Sequence, residues 1–145
     1  MPDYVHYHRI KFQMIYCKSG WVRVIYEDQG ESFVMNAGDC VVQPPEIRHR
    51  VLESSDNLEV IEIGAPAEHE TFAEHTITLP TPTLQPDRDF SGQRFVRHIA
   101  DQTSWLPWRH SGFEARNTGI DQATAGLANA LTVRANKSAS IRESN

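Results

Sequence analysis

Short runs of β-forming residues recur at close, even intervals between residues 8 and 64 of this 145-residue chain. The runs are four to seven residues long and rich in Val, Ile, Tyr and Phe, as in FQMIYC, WVRVIYE and LEVIEIG, with KSG, DQGE and NAGD among the turns between them. Such spacing favours an antiparallel sandwich or barrel over a helical arrangement. The sequence therefore predicts an all-β fold, with a helical turn or two expected only in EHETFAEH.

The composition of the chain changes near residue 79. Residues 79–93 are rich in proline and lack apolar periodicity, which indicates an extended connector. Residues 94–145 contain one strand-like run, ALTVRA, and end in a polar sequence that reads as frayed. That segment is too short to bury a core of its own. We therefore predict a barrel over residues 1–78, a connector over 79–93 and a β-rich, partly irregular extension over 94–145.

Charge and hydropathy exclude two classes of partner. The formal net charge is −5, so no basic face is expected to neutralise a phosphate backbone, and nucleic acid is not predicted as a partner. No run approaches the roughly 20 apolar residues of a membrane span, and the start MPDYVHYHRI has no apolar leader. A cytoplasmic protein is expected. Cys17 and Cys40 lie inside apolar runs and are predicted to be buried free thiols.

A pair of histidines stands near the start of the chain. On a strand, positions i and i+2 face the same side, so His6 and His8 would direct both imidazoles into one space. The pair alone is a weak signal, because a short motif of this kind often arises by chance. Gln13 follows closely enough to join the pair, and His49 follows a rigid Pro-Pro turn.

These spacings resemble the two motifs of the cupin superfamily. The first motif is a glycine, five residues, His-x-His, three or four residues, a glutamate, six residues and a glycine; the second is a glycine, five residues, Pro-x-Gly, two residues and a histidine. The matching positions are His6, His8, Gln13 and Gly20 in the first motif and Gly38, Pro44 and His49 in the second. This chain departs from the pattern at Gln13, which replaces the glutamate, and at Glu46, which replaces a glycine.

The resemblance implies a cupin-type jelly-roll barrel, or double-stranded β-helix, with a divalent metal held inside by His6, His8, Gln13 and His49. Three imidazoles and one oxygen donor suit Fe, Mn, Ni or Zn. Gln13 removes one negative charge relative to glutamate, so the site should hold a metal less tightly. The alternative is a metal-free barrel in which the histidines are polar lining.

Two classes of function are open. One is an enzyme acting on a small oxygenated molecule as a dioxygenase, isomerase or lyase. The other is a non-catalytic module that binds or senses a small molecule in the barrel mouth. The absence of a helix-turn-helix pattern favours the enzyme. Candidate ligand-binding side chains are Arg23, Tyr26 and Arg48, whereas Glu53, Glu59 and Glu62 cannot be assigned an acid–base role from sequence.

The remaining histidines are predicted to have surface roles. His69 and His75 flank an acidic stretch and would form a second metal site with Glu70 and Glu74, but a solvated surface segment is the favoured interpretation. The same default applies to His98 and His110.

The chain also resembles part of a two-barrel cupin. The histidine pair stands where the first strands of a barrel should already be built, and residues 95–141 resemble the lead-in to a second His-x-His that does not follow. An unpaired sheet edge is a template for added strands. We therefore expect the C-terminal segment to pair with the barrel edge, within the chain or by exchange in a homodimer.

Overall fold

The computed structural model describes residues 4–136, and these form twelve strands, one 3-10 turn and one short helix. The helix, α1, spans Ile120–Ala123, and the 3-10 turn spans Ala100–Gln102. In chain order the strands are β1 (His6–Arg9), β2 (Phe12–Ser19), β3 (Trp21–Tyr26), β4 (Phe33–Asn36), β5 (Cys40–Val42), β6 (His49–Ser54), β7 (Glu59–Ala65), β8 (Glu70–Ala73), β9 (Val96–His98), β10 (Leu106–Pro107), β11 (Phe113–Asn117) and β12 (Leu131–Ala135).

Two facing antiparallel sheets make the barrel. One has the strand order β4-β3-β6-β1-β8 and the other the order β7-β2-β5-β9, while β10, β11 and β12 form a third, three-stranded sheet. The β-type runs of the sequence correspond to β2 through β7, so the predicted all-β, jelly-roll fold is confirmed. Alternation of side chains along each strand places one set of residues inside the barrel and the other on its outer surface.

The segment EHETFAEH is a strand, and the helical turn expected there is wrong. Residues Glu70–Ala73 form β8, which pairs antiparallel with β1 in the register Tyr7↔Phe72 and His8↔Thr71. The rings of Tyr7 and Phe72 stack with centroids 5.2 Å apart. Cross-strand aromatic contact of this kind stabilises a sheet edge, and it outweighs the helical preference of the acidic residues.

The hydrophobic core has two parts, one between the barrel sheets and one outside the four-stranded sheet. The first part includes Phe90 and Phe95, which come from beyond the first 78 residues, and the ring of Phe95 packs against Tyr26 and Phe33. The second part is formed by Phe12, Met14, Cys40, Val42 and Ile120. Residues after the barrel strands therefore contribute to burial on both sides of the four-stranded sheet.

The proline-rich connector is fastened to the barrel by one buried carboxylate. Asp28 accepts hydrogen bonds from the hydroxyls of Thr81 at 3.0 Å and Thr83 at 2.7 Å. The guanidinium of Arg88 lies 2.8 Å from Asp28 and 3.1 Å from Glu27. Burial alone would raise the pKa of Asp28, but these hydrogen bonds and the charge of Arg88 together hold its pKa below the ordinary value.

The C-terminal segment completes one edge of the four-stranded sheet within the same chain. Strand β9 pairs antiparallel with β5 in the register Cys40↔His98 and Val42↔Val96. The predicted domain limits remain predictions, and residues 137–145, which include the polar end, lie outside the described part of the chain. Within residues 4–136, no helix has the length and apolar character needed to cross a membrane.

Candidate metal centre

Three histidines from two neighbouring strands meet inside the barrel. His6 and His8 lie on β1 and His49 begins β6, and the pairing of these strands sets His6 opposite His49. The ring centroids are 4.1 Å apart for His6 and His49, 5.1 Å for His6 and His8, and 5.2 Å for His8 and His49. One ring nitrogen of each histidine lies within 4.8 Å of the other two. That separation is small enough for one metal ion to bind all three.

Main-chain carbonyls fix the tautomers of two of these rings. Nδ1 of His6 lies 2.9 Å from the carbonyl oxygen of Tyr4, and Nδ1 of His49 lies 2.9 Å from that of Ile47. A carbonyl oxygen only accepts, so each Nδ1 must carry the proton and donate it. Nε2 of each ring then keeps its lone pair, which is the form that binds a metal.

The three imidazoles are neutral at physiological pH. Burial, together with the charge that a neighbouring histidine would carry, lowers the pKa of His49 to about 3 and that of His8 to about 4. Burial also lowers the pKa of His6. Since a protonated imidazole cannot bind a metal, these environments favour the metal-binding form of all three histidines.

The turn before His49 explains one departure from the cupin pattern. The amide of Ile47 donates to the carbonyl of Pro44 at 3.3 Å, and Glu46 within this turn has a φ of 64°. A type II turn needs positive φ at its third position, which is why glycine is usual there. Glu46 adopts the same left-handed backbone without being glycine, so the turn that leads into His49 is preserved at some conformational cost.

The histidines lie at one end of a cavity of about 300 Å³ inside the barrel, and Gln13 lines the same cavity. The amide Nε2 of Gln13 donates to Oε1 of Glu62 at 2.6 Å. Gln13 is 2% exposed, which places its amide inside the barrel with the histidines. Glu62 is the acidic residue that sequence reasoning could not assign, and it is now located at the cavity.

The register of β7 explains why Glu62 faces inward. Ile15 pairs with Glu62 and Met14 with Ile63, so Glu62 shares the cavity side of the sheet with Ile15. Ile61 and Ile63 point to the outer side and are 46% and 50% exposed. Hydrophobicity alone favours the opposite orientation, and only the pairing with β2 indicates the correct one.

Tyr26 alone of the three predicted ligand-binding side chains lines the cavity within the described residues. Its ring stacks on His49 with centroids 5.5 Å apart, its hydroxyl donates to Oε1 of Gln43, and burial raises its pKa far above the ordinary value. Arg23 instead pairs with Glu53 at 3.2 Å, and Arg48 pairs with Glu74 at 2.9 Å. Neither arginine is among the described residues that line the cavity, and their ligand-binding role stays a prediction.

The histidines outside the trio have different environments. His69 lies against His8, with centroids 5.2 Å apart, and its Nδ1 is 3.2 Å from the carbonyl of Pro66. Among residues 4–136, His6, His8 and His49 are the one group of three or more His, Cys, Asp or Glu side chains close enough to share a metal. A second site built from His69, His75, Glu70 and Glu74 is thus not supported.

The surface role expected for His98 is wrong. His98 is 5% exposed, because β9 is covered by the segment that follows it, and its Nε2 has no hydrogen-bond partner in the described structure. The pairing of β9 with β5 is the cause, and the short run VRH gives no sequence signal for it. The prediction for Cys17 and Cys40 is confirmed, since both are buried free thiols.

Comparison with known families agrees with this geometry. A family model described as the cupin domain matches residues 3–64, which contain β1 through β6 and most of β7. No curated protein matches the chain. The matched residues include the three histidines, Gln13 and both motif glycines. The barrel and the matched segment together show that residues 3–64 of this chain form a cupin domain.

Proposed function

We propose that His6, His8, Gln13 and His49 bind one divalent transition-metal ion and that the protein is an enzyme acting on a small oxygenated organic molecule there. The observation that carries the proposal is the meeting of three neutral imidazoles at one end of a cavity of about 300 Å³. A structural metal site would be filled on all sides by protein, whereas this one adjoins space for a ligand.

The donor set fits Fe, Mn, Ni or Zn in the divalent state. Imidazole nitrogens suit all four ions, and each ion can also be coordinated by an amide oxygen, which is a neutral, harder donor. The hydrogen bond from Gln13 Nε2 to Glu62 leaves the amide oxygen of Gln13 as the atom for a metal. When bound, the ion would supply a Lewis acid for a substrate oxygen and, if it is redox-active, a centre for dioxygen chemistry.

Residues around the ligand set have separate tasks in this proposal. Glu62 is an ionisable group that lines the cavity beside Gln13, so it is positioned to accept a proton from a bound substrate. Tyr26 stays protonated, and its hydroxyl is held by Gln43, so it shapes the wall and orients the ring of His49. Apolar side chains line the rest of the cavity and exclude water.

The alternative is a cupin that binds a small molecule without changing it. The position of Glu62 favours the enzyme, because a carboxylate beside the metal ligands can take a proton from a bound substrate, which a pocket that only binds does not require. Replacing Glu62 by Gln keeps the size and one hydrogen-bonding oxygen but removes the proton acceptor. An enzyme should then lose turnover by a factor of about 100 or more while ligand affinity changes little, whereas a binding module would show no turnover in either form.

The test begins with metal analysis of protein purified without chelator. We expect about one metal ion per chain in the wild type and a trace in His49→Ala, with His110→Ala as a control because His110 stacks against Trp108, away from the cavity. Circular dichroism must show that His49→Ala retains the barrel. Full metal content in His49→Ala would contradict the assignment. Oxygen uptake and substrate loss with diketones, hydroxy-aromatic acids and thiols then test for turnover.

We also propose that the protein forms a homodimer through the outer face of β7. Ile61 and Ile63 on this edge strand, and Leu131 and Val133 on β12, are each at least 37% exposed and line one apolar groove. A free strand edge flanked by apolar side chains is a template for a second copy of the chain. Light scattering should give a dimer mass, and Ile61→Lys with Ile63→Lys should give a monomer. A monomeric wild type would refute the proposal.

The state of the two cysteines bears on location. Cys17 and Cys40 are buried and unpaired, and burial raises the pKa of both thiols. Free thiols are usual in a reducing compartment, so a cytoplasmic location is our proposal. Fractionation of the source cells with an antibody against the chain would test it.

A further inference from the structure

The wall of the cavity changes character along the barrel strands. On β3 the inward-facing residues run from Tyr26, beside the histidines, to Val24 and then Val22. On β6 they run from His49 to Val51, and on β7 from Glu62 to Val60. Each of these three strands therefore has a polar or aromatic side chain near the histidines and aliphatic side chains further along.

The strand registers align these changes into layers. Tyr26 pairs with His49, Val24 pairs with Val51, and Val22 pairs with Met35 on β4. Val22, Val24 and Met35 are 2%, 6% and 1% exposed, so these three aliphatic side chains are buried in the barrel. The cavity thus has a polar end formed by the histidines, Gln13 and Glu62, and an aliphatic end formed by Ile15, Val22, Val24, Met35, Val51 and Val60.

The aliphatic end offers no partner for a charge or a hydroxyl. Arg50 is the one cationic residue among the described residues that line the cavity. It lies between His49 and Val51 on β6, and since both neighbours face inward, alternation directs its side chain to the outer side, where it is exposed. A carboxylate or a hydroxyl buried against this wall would lose its hydration without gaining a hydrogen bond.

We propose that the ligand is a small amphipathic molecule with one oxygen-bearing head group and an unsubstituted hydrocarbon tail, and not a sugar, a polyol or a dicarboxylate. The head group binds at the polar end, and the tail lies against Ile15, Val24, Val51 and Val60. Only the binding of the head group to the metal rests on the proposed function; the position of the tail does not. A cavity of about 300 Å³ limits the molecule to a compact size, at the lower end of small-molecule sites.

The probe for the full site is a series of alkyl hydroxamic acids, which are uncharged at neutral pH and bind metals through two oxygens. Titration calorimetry with the zinc-loaded protein measures each affinity, starting from acetohydroxamic acid. Each added methylene buried in the aliphatic end should tighten binding about fourfold. The gain should stop, and then reverse, when the tail fills the cavity. A matched hydroxamate ending in a carboxylate should bind no better than acetohydroxamic acid.

Two variants at a partly exposed position make the test specific to the tail. Val60→Thr replaces a methyl by a hydroxyl of similar size, so it should weaken the longer hydroxamates severalfold and leave acetohydroxamic acid unchanged. Val60→Leu should shift the best tail to a shorter length. A uniform effect of Val60→Thr on short and long probes would show that the tail does not lie against β7 and would overturn the inference.

Failure of the inference and failure of the proposed function give different results. If acetohydroxamic acid binds the zinc-loaded protein but affinity does not rise with tail length, the inference falls and the metal site stands. If zinc does not bind, the proposed function falls, and 2-alkanones titrated into metal-free protein decide the inference. Methyl resonances of Ile15, Val24 and Val51 should then shift with tail length. Methyl resonances that do not respond would overturn the inference.

Discussion

The amide of Gln13 donates a 2.6 Å hydrogen bond to the carboxylate of Glu62 at the polar end of the barrel cavity. Gln13 stands where the cupin pattern has a glutamate, and the contact gives this substitution a physical meaning. Two carboxylates at that distance would repel each other, so one of them would be forced to hold a proton. The amide at position 13 avoids this repulsion and donates a hydrogen bond to Glu62 instead.

Gln13→Glu should therefore have opposite effects on the metal-bound and metal-free protein. With metal, the added negative charge should tighten binding about tenfold, because a carboxylate is a stronger donor than an amide. Without metal, the carboxylate pair should lower thermal stability at neutral pH and less at pH 4. Competition with a chelator and thermal melts measure the two effects. The control is Gln13→Leu, which removes the oxygen donor, and equal affinity of wild type and Gln13→Glu would place Gln13 outside the ligand set.

Asp28→Asn should weaken the attachment of the connector. Asparagine has the same shape and tolerates the positive φ of 60° at this position, so the change removes the charge and one of the two acceptor oxygens. We expect a loss of about 2 kcal/mol at pH 7, less than for a fully buried pair, because Arg88 keeps part of its hydration. Urea denaturation measures the loss.

The pH dependence of the unfolding free energy is a second test of the contribution of Asp28. The pKa of Asp28 is lowered in the folded state, so its contribution is complete above the unfolded-state pKa of about 4. That contribution is lost as the pH falls through the lower, folded-state value. The difference in unfolding free energy between wild type and Asp28→Asn should shrink as the pH falls below about 4. A difference that stays constant down to pH 2 would contradict the ion-pair interpretation.

Glu46→Gly should stabilise the protein. A non-glycine residue in the left-handed region costs about 1–2 kcal/mol, and glycine removes that cost. About half of the gain is lost again, because glycine gives the unfolded chain greater conformational freedom. The net gain should be about 0.5–1 kcal/mol. The ion pair of Glu46 with Arg9 is 3.6 Å long and exposed, so its loss should matter little. Arg9→Ala measures that loss separately, and a destabilised Glu46→Gly with a neutral Arg9→Ala would show that the turn is not strained.

Truncation after Pro80 should yield insoluble protein. The cut removes Phe90 and Phe95, which are 5% and 8% exposed and belong to the core between the sheets. It also removes β9 and leaves the backbone of β5 as a free edge. Burying a phenylalanine contributes about 1.5–3 kcal/mol, so losing two is a large part of the stability of a domain this size. The soluble fraction after expression is the measurement, and a soluble, metal-loaded fragment 1–80 would show that the barrel folds alone.

The barrel could be predicted from sequence because its signals are local or fixed in spacing. Runs such as FQMIYC and WVRVIYE have the residue pattern of a strand, and the histidine, proline and glycine spacings indicate the turns between strands. The placement of His6, His8 and His49 in one cluster follows from those two kinds of signal.

What could not be predicted depends on contacts between distant segments. Glu62 faces the cavity only because β7 pairs with β2 in one register, and a shift of one residue would have turned Ile61 and Ile63 inward. The burial of His98 and the strand at Glu70–Ala73 arise in the same way, from pairing with β5 and with β1. The composition predicted a solvated surface for both segments, but pairing with neighbouring strands determined their structure.

The carbonyls of Tyr4 and Ile47, which hold the rings of His6 and His49, belong to the main chain, and every amino acid supplies one. The side chains at positions 4 and 47 can therefore diverge through evolution, or be varied in a library, without removing the acceptor that fixes each imidazole. Mutations near the metal site can therefore change the residues that shape the pocket while the ligand nitrogens keep their protonation state. A barrel of this kind can change what it binds while it keeps the means of holding a metal.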